Sequence, residues 1–374
     1  MNIRIALAGG GTGGHLYPLL AVADALRAVA KGDVRISYFG PEHALINEFE
    51  ARNIKIYGIT SSKLRRYASV ENVFDFPKFI WSIFQALAKL YTEMPNVVFS
   101  KGGPGALPVV LAARWYMIPI VIHESDAVPG LTNTISSKYA ARILLAFKEA
   151  ENFFPKGKTR VVGNPVRAMF TSRVSDQKQA KTSLQFDPEK PLAVMLGGSQ
   201  GSQRVNTFVL DNLDQFLPAF QIAHQTGFDN FVIARAQAAS MTQRMDPILQ
   251  NQYKPYGYLA ADQMKTLFDA ADIIISRAGS GAIFEIAATG KPAILIPLSD
   301  AAQDHQRANA YAYAATGAAF VIEEANFTAN LVLTKINTVL KDAGALERVR
   351  TAAQNFFKPN AAHDIALEVL SAVK

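Results

Sequence analysis

Two short apolar runs in this chain of 374 residues end in clusters of glycine, and helical periodicity follows each cluster. The first is Ile3–Leu7 running into Gly9-Gly10-Gly11-Thr12-Gly13-Gly14. The second is Leu192–Leu196 running into Gly197-Gly198-Ser199-Gln200-Gly201. Glycine lets a backbone turn tightly and approach a ligand with no Cβ in the way. The free N–H groups of the helix that follows then face an anion. A strand, a glycine turn and a helix open a parallel α/β unit, so two such openings predict two units of similar design.

The pattern between the openings agrees. Short β-branched runs at Val34–Phe39, Ile54–Ile59, Val97–Ser100, Ile118–His123 and Ile143–Ala146 alternate with helical patterns such as Pro18–Ala30 and Leu131–Ala141. After the second glycine cluster come Phe220–His224, Ile273–Ser276, Ala293–Ile296 and Phe320–Ile322. This alternation is that of a parallel sheet covered by helices. The expected organisation is a first domain over 1–165, a polar linker over 166–190 and a second domain over 191–374. The last helix is expected to pack back toward the first domain.

An apolar share of 49% supplies two cores, while only 18% of residues are charged. The net charge of +7 is unevenly placed: residues 1–167 carry 20 basic and 12 acidic side chains, and the remainder 18 and 19. The first half therefore asks for an anionic partner: nucleic acid, a membrane surface or a phosphorylated substrate. The chain has no cysteine, which excludes a disulfide framework, a thiolate metal site and a cysteine nucleophile. The first apolar run is too short for a signal peptide. The longest, Pro108–Ile122, is broken by Arg114 and Pro119 and does not span a bilayer. A soluble or peripheral cytosolic protein is expected.

Gly9, Gly11 and Gly14 formally satisfy a dinucleotide-binding spacing, but the second strand ends Tyr38-Phe39-Gly40-Pro41 with no carboxylate at its tip. Two glycine loops on two units suit a donor and an acceptor that both carry phosphate, which favours group transfer over hydride transfer. The segment Ser276-Arg277-Ala278-Gly279-Ser280-Gly281-Ala282-Ile283-Phe284-Glu285 passes from a strand end into a helix. It offers N–H groups and a hydroxyl to a diphosphate. One to two turns in, Glu285 is placed to accept both hydroxyls of a ribose, or simply to serve as a capping acid. Asp304-His305-Gln306-Arg307-Ala308-Asn309 opens another helix with polar groups suited to sugar hydroxyls or to solvent.

Six ordered motifs carry a family resemblance: Gly10–Pro18, His123-Glu124-Ser125-Asp126, Pro129–Asn133, Val162-Gly163-Asn164-Pro165-Val166-Arg167, Gly197–Gly201 and Asp304–Asn309. Together they resemble the MurG family of UDP-N-acetylglucosamine transferases of peptidoglycan synthesis, over nearly the whole chain. The resemblance implies a GT-B fold, with two Rossmann-like domains whose parallel sheets face each other across a cleft. It implies an inverting transfer of N-acetylglucosamine from UDP-N-acetylglucosamine to lipid I, giving lipid II, with no cofactor and no metal. It further implies a peripheral protein on the cytoplasmic face of the cell membrane. Carried onto this sequence, the family's donor contacts are Thr12, Gly13 and Gly14 by the sugar and diphosphate, and Arg167 and Ser199 at the nucleotide or its phosphates. Leu259 falls at the uracil, Ser280, Gly281 and Ala282 at the diphosphate loop, Glu285 at the ribose and Gln306 at the sugar, with His305 beside it. Three positions depart from the family pattern: Asp126 replaces a common Asn, Gly102-Gly103-Pro104-Gly105-Ala106 replaces a Gly-Gly-Tyr-x-Ser segment, and Ala282 replaces a Thr.

Inverting transfer needs a base for the acceptor hydroxyl and a counter-charge for the departing UDP. His15, beside the first glycine loop, is the first candidate base because a free imidazole titrates near neutrality. Asp126 and Glu124 compete with it. Helix N-termini and Arg167 can supply the counter-charge. Lys63, Arg65 and Arg66, followed by Phe76, Phe79, Ile80 and Trp81, mix cations with rings as the interface of an anionic bilayer requires. The helical spacing of Phe76, Ile80, Phe84 and Leu87 also suits a core helix. Nucleic acid thus becomes the least favoured anionic partner. The rival functions are a GT-B transferase acting on another membrane lipid such as diacylglycerol, a UDP-sugar epimerase, and a non-catalytic sugar-nucleotide-binding membrane protein.

Overall fold

The computed structural model describes residues 3–11, 13–42, 45–61, 70–171, 175–198, 201–299 and 304–373, with side chains from 75 onward in the fourth segment. The expected sites Thr12, Ser199, Lys63, Arg65 and Arg66 lie outside these residues. The chain forms two compact units, one of 1–166 with 360–374 and one of 167–359.

The first unit is a seven-stranded, wholly parallel sheet ordered β3-β2-β1-β4-β5-β6-β7. Its strands are β1 (Ile3–Ala8), β2 (Val34–Gly40), β3 (Lys55–Gly58), β4 (Val97–Ser100), β5 (Ile120–Glu124), β6 (Arg142–Leu145) and β7 (Thr159–Val161). Because side chains alternate across a strand, one face carries Ile5, Leu7, Ile36, Tyr38, Phe99 and Val121. The other carries Ala6, Ala8, Phe39, Val98, Ile120 and Ile122. Both faces are buried, which is why these strands read as continuous apolar runs. Helix α1 (Gly13–Val29) covers the first face with Leu16, Leu19, Leu20 and Leu26. Helices α2 (Val70–Glu93) and α3 (Ala106–Trp115) cover the second with Ala86, Leu90, Val109 and Val110.

The second unit repeats the winding with six parallel strands ordered β10-β9-β8-β11-β12-β13. They are β8 (Leu192–Leu196), β9 (Gln221–Gln225), β10 (Tyr253–Tyr256), β11 (Ile273–Arg277), β12 (Ala293–Ile296) and β13 (Ala319–Val321). The stretch 166–190, expected as a linker, is instead built into this unit. It contains helix α4 (Gln177–Ser183), whose Lys181 pairs with Asp272 at 2.7 Å, and Phe170, whose ring centroid lies 5.2 Å from that of Phe268. Its polar composition reflects hydrogen bonds to the rest of this unit, such as Gln177 Nε2 donating to Ala271 O at 2.8 Å. The helices that matter for the site are α5 (Gln203–Asp211), α6 (Ala261–Ala270), α7 (Ser280–Thr289) and α8 (His305–Ala314). The final helix, α9 (Ala361–Ser371), belongs to the first unit, where Ile365, Ala366 and Val369 pack with α1 and Glu368 pairs with Arg142 and Arg160.

Candidate functional site

In the first unit the glycine loop between β1 and α1 meets the loop that follows β4. Tyr38 Oη donates to Gly9 O at 2.8 Å, closing one side. On the other, Gly103 has φ +90°, and a Cβ there would come within 2.6 Å of Gly10 O and 3.4 Å of His15 Nε2. Only glycine fits both the conformation and the space. His15, half-buried in the first turn of α1, therefore lies against this second loop. The departure of residues 102–106 from the family pattern keeps the glycines that this approach needs.

The end of β5 holds the other acids. Glu124 is 3% exposed and accepts from Asp126 N at 3.0 Å, Gly130 N at 3.2 Å and Asn133 Nδ2 at 3.0 Å. Burial, together with the charge of Asp126, pushes its carboxyl up to about 7. Just past the end of β4, Lys101 is 2% exposed and donates from Nζ to Asn164 Oδ1 at 3.3 Å. Burial pushes this ammonium down to about 8 against the opposing pull of Glu124 and Asp126. His123 is wholly buried, with Nε2 at 2.9 Å from Gly163 O. Desolvation and then the Lys101 charge keep it neutral, well below the usual histidine range. Asp126 stands half-buried just past Glu124.

The loop after β4 thus lies between two of the candidate bases: a Cβ on Gly103 would lie 3.4 Å from His15, a Cβ on Gly102 would meet Asn133 at 2.9 Å, and Asn133 binds Glu124, to which Asp126 donates its own N–H. The sequence reading assigned no role to Lys101, Asn133 or Asn164. The two asparagines were visible inside quoted motifs, but nothing in the spacing signals a buried lysine.

In the second unit α7 starts at Ser280 after Gly279, whose extended backbone leaves the first N–H groups facing outward, and Ser280, Gly281 and Ala282 are all partly open. One turn on, Glu285 and Arg167 form a fork-to-fork ion pair, with Nε to Oε1 at 2.8 Å and Nη2 to Oε2 at 3.0 Å. The guanidinium also lies 4.9 Å from the Phe170 ring. Burial raises the Glu285 carboxyl and Arg167 opposes that rise. These two expected nucleotide ligands are therefore each other's partner.

Gln306 accepts from Leu298 N at 3.1 Å through Oε1, beside His305 at the start of α8. Leu259, between β10 and α6, is 5% exposed. A network not foreseen from sequence braces the strand ends: Arg277 Nη2 meets Glu324 Oε1 at 2.6 Å and Ser202 Oγ at 2.7 Å, and Ser202 caps α5. The second glycine loop is as constrained as the first, since Gly201 has φ +77° and a Cβ would collide with the Thr226 carbonyl. Among the described residues no cluster of three or more His, Asp or Glu side chains is placed to hold a metal ion.

Helix α2 turns its larger side chains outward. Phe76, Trp81 and Phe84 are about 60% exposed and Ile80 39%, while Ser82, Ala86 and Leu90 face the core. Of the residues whose helical spacing also suited a core face, Phe76, Ile80 and Phe84 belong to the solvent face, while Leu87 packs against the core. Phe79, expected with the exposed group, is half-buried instead, because it falls toward the core-facing edge of the helix. Trp115 and Met117, 77% and 76% exposed, follow at the end of α3 beside Tyr116, whose hydroxyl donates to Leu87 O of α2. Among the described residues no helix is long and apolar enough to cross a membrane.

Comparison with known proteins agrees with both halves of this geometry. The glycosyltransferase family 28 N-terminal domain matches residues 5–145, and the family 28 C-terminal domain matches residues 192–365. A UDP-N-acetylglucosamine–N-acetylmuramyl-(pentapeptide) pyrophosphoryl-undecaprenol N-acetylglucosamine transferase of Clostridium kluyveri is 36% identical over 89% of this chain and 90% of its own. The same-named protein of Halalkalibacterium halodurans is 34% identical over the whole of both chains. Acinetobacter baumannii MurG superposes with a TM-score of 0.72 at 27% identity, covering 99% of each chain. A UDP-GlcNAc 2-epimerase from Neisseria meningitidis, 14% identical with a TM-score of 0.68, covers 99% of this chain and 100% of its own and shares the fold. With two Rossmann-like α/β units of the GT-B class and relatives of this identity along its length, the chain belongs to the MurG family within glycosyltransferase family 28.

Proposed function

We propose that this protein is an inverting transferase that moves N-acetylglucosamine from UDP-N-acetylglucosamine to the undecaprenyl-diphosphate-linked acceptor lipid I. The reading is supported by the names of its relatives and by one observation above the rest. Helix α7 carries an open N-terminus at Ser280–Ala282 and, one turn later, a carboxylate paired with a guanidinium. That order matches a diphosphate followed by a ribose. The helix N–H groups and Arg167 would take the charge that builds on the departing UDP, so the mechanism calls on no resident metal. Glu285 would accept the ribose hydroxyls, and Gln306 with His305 would meet the sugar.

In the first unit, Glu124, Asp126 and His15 are the groups able to receive the acceptor's proton. Glu124 suits the task best. A carboxyl raised to about 7 is half ionised at neutral pH and is basic enough to accept a proton in the transition state. The acceptor is a lipid, and the exposed rings of α2 with Trp115 supply a surface for an anionic bilayer. Peripheral attachment to the cytoplasmic face fits these features. The test is turnover of UDP-N-acetylglucosamine with a lipid I analogue, with diacylglycerol as the rival acceptor. Transfer to lipid I alone is expected. Transfer to diacylglycerol would point to another lipid acceptor, and nucleotide binding without product would favour a non-catalytic role.

A further inference from the structure

The turn after β12 is pinned at two consecutive residues. Leu298 N donates to Gln306 Oε1 at 3.1 Å. Ser299 donates twice to Glu324 Oε2, from its N at 3.2 Å and from its Oγ at 2.7 Å. The first contact orients the Gln306 amide: with Oε1 accepting, Nε2 is the end that can donate to a sugar oxygen. The side chains of Leu298 and Ser299 are both exposed, so these hydrogen bonds, more than packing, place the turn.

Glu324 is the fixed end of this arrangement. It lies three residues past β13 and is 7% exposed. Arg277, the last residue of β11 and equally buried, meets its Oε1 at 2.6 Å. The same guanidinium donates from Nη1 to Ile296 O, at the end of β12, at 3.3 Å, and from Nη2 to Ser202 Oγ at 2.7 Å. From α5, Arg204 Nη2 donates to the main-chain oxygen of Glu324 at 2.9 Å. Burial opposes ionisation of Glu324, but Ser299 and Arg277 outweigh it and hold the carboxyl below the usual carboxylate range. Hydrogen bonds to an ionised acceptor are stronger than those to a neutral one, so Ser299 is tied firmly to the ends of β11 and β12. The contacts run from Arg277, three residues before α7, through Glu324, Ser299 and Leu298 to Gln306.

We propose that Glu324 is a positioning residue for the donor sugar: through Ser299 it fixes the turn that holds Gln306, and so sets Gln306 in place relative to the diphosphate loop at the start of α7. This deepens the reading of the second unit as the donor site and rests on it. Glu324 acts through Gln306 and touches no substrate itself.

The experiment is calorimetry of the full chain with UDP and with UDP-N-acetylglucosamine, since UDP offers the ribose and diphosphate without the sugar. Glu324→Ala is expected to weaken UDP-N-acetylglucosamine binding about tenfold, the order of one hydrogen bond, and to leave UDP binding within about twofold. In a Gln306→Ala background the same change should leave the ratio of the two affinities where Gln306→Ala alone puts it. A merely structural role would lower the melting temperature or weaken both nucleotides alike, with no dependence on Gln306. Equal losses for the two nucleotides in folded Glu324→Ala protein, or a selective loss that persists undiminished without the Gln306 amide, overturns the proposal. If Glu324→Ala fails to fold, Ser299→Ala decides, because it removes one of the two hydrogen bonds and leaves the Arg277 ion pair whole. A selective loss that depends on Gln306 then supports the proposal, and no selective loss overturns it. Wild-type protein that binds neither nucleotide would sink the donor-site reading itself, an outcome distinct from equal losses in a protein that binds both.

Discussion

The two units share one winding and differ in how they treat charge. In the first, Lys101 and Glu124 lie buried near neighbouring strand ends without a direct ion pair described for either, and burial brings both toward neutrality, to about 8 and about 7. In the second, Arg167 with Glu285 and Arg277 with Glu324 are in direct contact at 2.6–3.0 Å. Arginine stays charged at any working pH and binds a carboxylate in a planar fork. One sheet thus holds groups that titrate near pH 7, and the other holds fixed ion pairs, of which Arg167 with Glu285 lies at the proposed nucleotide site.

The largest effect should come from removing the proposed proton acceptor. Glu124→Gln is expected to lower turnover by about 10²–10⁴-fold, the usual worth of a general base, while leaving UDP affinity unchanged. The sign of the pH effect follows from the raised carboxyl. The ionised, active form grows as pH climbs through about 7, so wild-type turnover should rise there and Glu124→Gln should lose that limb. The same shift favours the protonated carboxyl in the folded protein. Its contribution to stability is therefore present at acid pH and declines as pH rises from about 4.5 toward about 7. A flat pH–rate profile in wild type would break the contrast between the units.

Next in size is the fixed pair. Arg167→Ala should weaken UDP binding at least about tenfold, or about 1.4 kcal/mol, and strand the Glu285 carboxylate. Arg167→Lys should recover little, because an ammonium does not reproduce the two-pronged contact. Calorimetry of UDP binding between pH 6 and 8 should show the loss to be independent of pH. A loss that varied across that window would mean that recognition, too, depends on a titrating group.

Much of the fold was legible from period and punctuation. The buried strands stood out as apolar runs, and β8, β4 and β12 begin and end where the sequence placed them. Two edge strands did not. β7 is three residues long, and β10 carries Pro255, which an edge tolerates because one side of the strand has no partner. The polar stretch 166–190 misled for a related reason, since polarity marks hydrogen bonding as well as exposure. For the site, the glycine loops and Glu285 were readable because their local geometry is written in adjacent residues. Lys101 was not, because its burial depends on residues far away in the chain, such as its partner Asn164, and a lone lysine ordinarily signals solvent.

Below these comes the packing of the first glycine loop. Gly103→Ala would force an alanine to φ +90° and press its Cβ to 2.6 Å from Gly10 O. A strained backbone of this kind costs about 1–3 kcal/mol, so a thermal melt should show a drop of several degrees. Gly130→Ala is the control, because a Cβ there meets no atom within 4 Å. If both behaved alike, the close approach of the two loops would not be a constraint.

The smallest effect on folding should come from the outer face of α2, and that is what makes it informative. Trp81 and Phe84 lie mostly in solvent, so Trp81→Ser with Phe84→Ser should change stability by no more than about 0.5 kcal/mol. Flotation on anionic vesicles should nevertheless fall sharply, and so should turnover with acceptor presented in a bilayer. Turnover with a water-soluble acceptor analogue should hold. Phe79→Ser is the contrasting variant, since a half-buried ring also packs inward and its loss should lower stability as well. Vesicle binding that survived the double change would assign membrane contact elsewhere on the first unit. The charge excess of residues 1–167 would then act through lysines and arginines without these rings, and raising the salt concentration would abolish binding outright.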